Sequence, residues 1–277
     1  MKNRVSRLVL LGGAVLSGLL AGVSCSVKED RMPCPAYLNI SFEDRENITK
    51  RVNLLGYNTE EVFRQNLNVQ EDYEGEYLVK AVHKSKFNLS AYYGVETSRD
   101  SGHYITVPMG MQCDSLYSFQ TDVDCTGDMA YANVVFHKQF CTIYVDLNKP
   151  LEGQNSINHY RFLVEGNTCG FDLMSYLPLE GSYRIEPAPR EGERVVDFRV
   201  PRQMDDSLQL TIYYQMDEGP LVKMETFSLG GYMAKMHYDW NTEDLQDIYV
   251  KIDLVSGFIT IMVEGWEEGY TFSFIEQ

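Results

Sequence analysis

Beyond residue 35, apolar and polar residues alternate with a period of two through most of the chain. This limits the fold more than any other feature. The pattern is plainest near the end. Ile248, Val250, Ile252 and Leu254 alternate with Tyr249, Lys251 and Asp253, and Ile259, Ile261 and Val263 alternate with Thr260, Met262 and Glu264. Val255, Ser256 and Gly257 separate the runs, so the pair reads as a hairpin with one face in a core.

Taken in order, the first strand covers residues 36–42, with Leu38, Ile40 and Phe42 opposite Tyr37, Asn39 and Ser41. Strands follow at 52–57, 77–82, 86–94, 103–108 and 115–123, and a helical turn capped by Thr59 is expected over 59–65. Residues 132–147 form an apolar strand pair around a bend at His137, Lys138 and Gln139, with Val134, Phe136, Phe140, Ile143 and Val145 facing inward. Further strands are expected at 160–165, 170–176, 182–187, 194–200 and 207–215, and a short helical segment at 241–246. Turn signals recur about every ten residues with no repeat of fixed length, which is the pattern of sandwiches. A polar stretch with Pro150 and Gly153 over residues 148–156 is read as a boundary. The fold class is therefore all-β, with one sandwich over residues 36–150 and a second over 151–277.

The N-terminus carries a different kind of information. Lys2, Arg4 and Arg7 precede an apolar run from Leu8 to about Leu20, the length of a signal-peptide core and short of a membrane span. Residues 1–24 are thus an export signal. Cys25 follows Gly22, Val23 and Ser24, small residues of the kind a lipoprotein signal peptidase admits. Lipidation at Cys25 would fix the mature chain to a bilayer. Gly22 stands where such sites usually carry Leu, and plain secretory cleavage between Ala21 and Ser24 is the alternative. Residues 25–35 are a lipidated linker in the first reading. Lys28, Glu29 and Asp30 resemble the signal that sends some lipoproteins to the outer face of the outer membrane, or else form a solvated spacer.

The formal charge is -16, and loss of residues 1–24 deletes three cations and no acids, leaving -19. A body this acidic repels phosphate, so nucleic acid is excluded as a partner. Of six cysteines, five remain if Cys25 is acylated: Cys34, Cys113, Cys125, Cys141 and Cys169. With an odd number, at least one is free. Cys113 and Cys125 lie at opposite ends of one extended strand and cannot bond to each other. No spacing is that of a zinc site.

Enzyme signatures are missing: there is no Gly-x-Ser-x-Gly elbow, no phosphate-binding glycine loop and no His-Glu-x-x-His pair. His83, His103, His137, His159 and His237 are scattered, and no cofactor or metal site is called for. Asp122, Asp124 and Asp128 surround Gly127 in a turn that could hold calcium or could simply be an Asx-rich turn. At the C-terminus, Tyr270, Phe272 and Phe274 share one face of a terminal strand beyond Trp266. That strand could be donated to a neighbouring molecule's sheet, or could pair within its own chain.

With these residues in hand, the chain resembles the fimbrillin-anchor family of outer-membrane lipoproteins. The resemblance is carried by residues 25–31 with Cys34 and Pro35, by the mid-chain run from Val134 through His137 to Phe140, and by Tyr249 to Val263 ending in Trp266. It implies two transthyretin-like sandwiches, a lipid on Cys25, a fimbrial structural subunit as partner and no enzymatic activity. The expected role is a surface-exposed anchor or accessory subunit that holds a fimbrial shaft and ends its growth, because a first strand fixed to lipid is not released for exchange. A surface lipoprotein that binds glycan or host ligand through loops or exposed tyrosines is the alternative.

Overall fold

The computed structural model describes residues 34–148, 157–189, 195–216 and 219–274. The signal, Cys25, most of the linker and the boundary residues 149–156 lie outside the described residues.

The first ten strands are β1 (Ala36–Phe42), β2 (Val52–Tyr57), β3 (Glu61–Leu67), β4 (Leu78–Val82), β5 (Lys86–Tyr93), β6 (Arg99–Ser101), β7 (Tyr104–Thr106), β8 (Tyr117–Asp124), β9 (Met129–Val134) and β10 (His137–Lys138). A three-stranded sheet in the order β4-β1-β9 faces a five-stranded sheet in the order β10-β8-β5-β2-β3. Between them Leu38, Ile40, Val52, Leu54, Leu89 and Val134 are wholly buried. The alternation read in β1 is the observed one, with Ala36, Leu38, Ile40 and Phe42 inward.

The second half contains β11 (Phe140–Asn148), β12 (Tyr160–Asp172), β13 (Leu177–Ile185), β14 (Val195–Pro201), β15 (Gln209–Tyr214), β16 (Val222–Phe227), helix α1 (Leu229–Lys235), β17 (Ile248–Asp253), β18 (Phe258–Val263) and β19 (Tyr270–Ser273). One sheet runs β14-β11-β17-β18-β19; the other runs β16-β15-β12-β7-β6, with β13 paired to β12. Together with α1 they enclose a larger core that includes Ile143, Phe162, Phe198, Phe227, Val250 and Ile261. The architecture is therefore all-β, with sheets stacked as sandwiches around two cores. Both sandwiches open in the same way. β1 lies between antiparallel β4 and parallel β9, and β11 lies between antiparallel β14 and parallel β17.

The hairpin read from residues 248–263 is present, with Gly257 supplying the positive φ of 72° in its turn. Three local expectations are corrected. Residues 59–65 form no helical turn; Glu61–Leu67 is edge strand β3, paired to β2. The ring of Phe63 packs over Gly56, where a Cβ would come within 2.5 Å, so a tertiary contact overrides the local cap signal. Residues 241–246 are turn and loop, with the Asn241 amide donating to Asp239. The helix lies instead at Leu229–Lys235, where a Cβ on Gly230 would sit 2.4 Å from the Asp206 carbonyl oxygen. Finally, Val134 and Phe140 do not share one core: Val134 belongs to the first, and Phe140, Ile143 and Val145 belong to the second.

A third apolar cluster joins the halves. Leu55, Tyr92, Ile105, Leu116, Phe171 and Leu173 are buried together, and β7 from the first half pairs with the end of β12. The polar face of β5 is covered there: Asn88, Ser90 and Tyr92 are buried, and the Ser90 hydroxyl donates to the Leu173 carbonyl at 2.9 Å. The guanidinium of Arg202 ties the link between β10 and β11 to the loop after α1, donating to Gln139 Oε1 at 3.0 Å and to the carbonyls of Trp240 and Glu243.

Candidate functional site

Cys25, the expected lipid site, lies outside the described residues. The described chain starts at the exposed Cys34, and after Pro35 it enters β1 directly. Antiparallel bonds to β4 and parallel bonds to β9 hold β1 along both edges. The Tyr37 amide donates to the Asp128 carbonyl and the Glu43 amide to the Val134 carbonyl, each at 2.9 Å. Asn39 Nδ2 reaches the Ala130 carbonyl at 3.2 Å, and the Ser41 hydroxyl donates to Asn133 at 2.9 Å. Ala36, Leu38 and Ile40 are completely buried beneath these bonds. Releasing β1 would break two ladders and expose side chains whose burial contributes about 1.5–3 kcal/mol for each Leu or Ile.

At the other end, β19 is the edge of its sheet and pairs antiparallel with β18, from Phe258↔Ser273 to Ile261↔Tyr270. The Phe272 ring stacks on Tyr232 of α1, with centroids 4.8 Å apart, and Phe274 meets Phe227 edge-on at 5.0 Å. Tyr270 is 43% exposed and touches only the rim of this arrangement, through Trp266. The three aromatics singled out in the sequence are thus divided: two lie against the second core and one faces solvent. The outer edge of β19 has no strand beside it among the described residues.

The acidic turn after β8 is not a convergent cluster. Asp124 pairs with Lys86 at 2.8 Å and accepts the Thr126 amide and hydroxyl; these bonds hold its carboxyl far below the usual range. Asp122 accepts from Asn88, and Asp128 pairs with Lys84. Among the described residues no group of three His, Cys, Asp or Glu side chains is placed to hold a metal ion. The five described thiols are unpaired, and burial pushes Cys113 up to about 12.

Two polar clusters escaped the sequence because their members are far apart in the chain. His103 Nδ1 lies 2.7 Å from Asp172, between the rings of Tyr57 and Tyr104. Burial opposes the Asp172 charge, but bonds from Ser175, His103 and the Met174 amide outweigh it and keep the carboxyl below its ordinary value. Ser175 donates to Asp172 itself, so the group has no activated hydroxyl and acts as a clasp where β7 meets β12. The second cluster joins Arg64, Tyr92 and Asp100, the Tyr92 hydroxyl donating to Asp100 at 2.5 Å.

No protein-family model matches the sequence, and no curated protein matches it either. Solved structures do. The fimbrial anchor protein Mfa2 from Porphyromonas gingivalis superposes with a TM-score of 0.57 at 9% identity, covering 84% of this chain and 98% of that one. This chain shares its fold with that protein. A protein from Bacteroides thetaiotaomicron, proposed to bind polysaccharide, matches with a TM-score of 0.62 at 12% identity over 87% of this chain and 100% of that one. A proposed adhesin from Bacteroides ovatus matches at 0.57 and 12% identity, over 87% and 96% respectively. Coverage of this extent takes in both sandwiches of this chain. Within it, no helix among the described residues is long and apolar enough to cross a membrane.

Proposed function

We propose that this protein is a lipoprotein of the outer membrane, tethered through Cys25 and exposed at the cell surface, that serves as an anchor or accessory subunit of a fimbria. The observation that carries the reading is the position of β1. The strand nearest the tether is the central strand of its sheet, bonded on both edges and buried beneath. A shaft subunit that polymerises by exchanging its first strand needs that strand free to leave, whereas a terminal subunit needs it fixed. The likeness of fold to Mfa2 supports this reading.

The experiment compares wild type with Cys25→Ala in cells that make the protein. The expected outcome is a wild-type N-terminal peptide whose mass includes acyl chains, and a variant that leaves the membrane fraction and sheds fimbriae into the medium. A wild-type peptide without fatty acid on that sulfur would overturn the tether. Lipidation with no fimbrial subunit co-purifying would overturn the fimbrial role and leave the anchor without a cargo.

A further inference from the structure

The outer face of the β14-β11-β17-β18-β19 sheet is not uniformly polar. Parallel pairing of β11 with β17 sets Tyr144 beside Tyr249 and Asp146 beside Lys251. Antiparallel pairing with β18 then sets Tyr249 beside Met262 and Lys251 beside Thr260. Two rows therefore cross the strands on one face, an apolar row of Tyr144, Tyr249 and Met262 and a polar row of Asp146, Lys251 and Thr260. The two tyrosine rings stack with centroids 4.9 Å apart and planes inclined by 11°. Between the rows lies a groove of about 420 Å³, closed at the β14 end by Val195. From β14 to β18 it spans three strand spacings, about 14 Å.

The outer face of an antiparallel edge is usually solvated and polar. Here Tyr249 and Met262 are 42% and 45% exposed in a strongly acidic chain. We propose that this groove binds a neutral polysaccharide, with pyranose rings lying along the tyrosine and methionine row and their hydroxyls meeting Asp146, Lys251 and Thr260. A sugar presents an apolar C–H surface and a rim of groups that both donate and accept. The groove offers the complement: apolar side chains with a few convergent polar groups. The Asp146 side chain can only accept and the Lys251 side chain can only donate, and neither side chain has a hydrogen-bond or ion-pair partner among the described residues. A lipid chain would leave both charges against hydrocarbon, which is costly. An acidic polysaccharide would enter the field of a chain whose formal charge is -16. A partner strand adds at a sheet edge, and this groove lies on a face.

The test is affinity electrophoresis of the full chain through native gels containing soluble glucan, galactomannan, xylan or, as the acidic comparison, alginate. Retardation by at least one neutral polymer is expected, with affinity falling about tenfold in Tyr249→Ala and several-fold in Asp146→Asn. Thermal melting of both variants should match wild type, because neither side chain is in a core; if Tyr249→Ala melts early, Asp146→Asn carries the comparison. The proposal is overturned by migration unchanged in all three neutral gels, by retardation equal in wild type and variants, or by stronger retardation in alginate. Capture of a protein partner that Tyr249→Ala abolishes, without retardation by sugar, also overturns it.

Discussion

Asp114 shows how one buried carboxylate can hold a loop. Its residue is 5% exposed, and its carboxylate accepts the amides of Glu96, Thr97 and Ser98 together with the Thr97 hydroxyl. Burial works against the charge, but these bonds outweigh it and hold the carboxyl below its ordinary value. Asn at this position presents an amide nitrogen to donors, so Asp114→Asn should cost about 2 kcal/mol at pH 7. The sign of the pH dependence follows. With a folded value below the unfolded one of about 3.9, the contribution is complete above that pH and is lost as pH falls through the folded value. Urea unfolding at pH 7 and pH 3 should show the gap between wild type and variant narrowing in acid. An equal gap at both would place the stabilisation elsewhere than on the charged form.

At the scale of elements, the last strand is the most informative. The Phe272 ring covers Tyr232 and Phe274 covers Phe227. Phe272→Ala should therefore cost about 2 kcal/mol, since its half-buried ring contributes about as much as a buried aliphatic side chain. Deleting residues 269–277 should lower the melting temperature further and leave the outer edge of β18 unpaired. If the deletion melts like wild type and associates with a fimbrial subunit less well, the strand serves a neighbour and not its own sheet. The sequence made such strands legible wherever one face is apolar and the other wet, as in β1, β17 and β18. It misread β3 because Thr59, Glu60 and Glu61 look like a helix start, while the deciding contact, Phe63 over Gly56, is made only after folding. Helix α1 was hidden by Gly230 and Gly231, which weaken helical propensity, while Gly230 allows close approach to Asp206. The groove was not legible at all: Tyr144 and Tyr249 are about a hundred residues apart, and only the parallel pairing of β11 with β17 brings them together.

Across the whole molecule, β5 shows how the two sandwiches are joined. Its Phe87, Leu89 and Ala91 face the first core, and its polar face is buried because the second half packs on it. Leu173 is fully buried in that contact, together with Leu55 and Tyr92 from the other side. Leu173→Ala should cost about 2–5 kcal/mol and split a single calorimetric transition into two; one sharp transition in the variant would show that the halves are coupled elsewhere. The placing of β1 has a mechanical consequence. Tension applied at residue 36 along the strand loads the bonds to β4 and β9 together, in shear, and cannot peel them one at a time. A load entering the molecule through a strand seated in this way is shared by both of its neighbours from the outset.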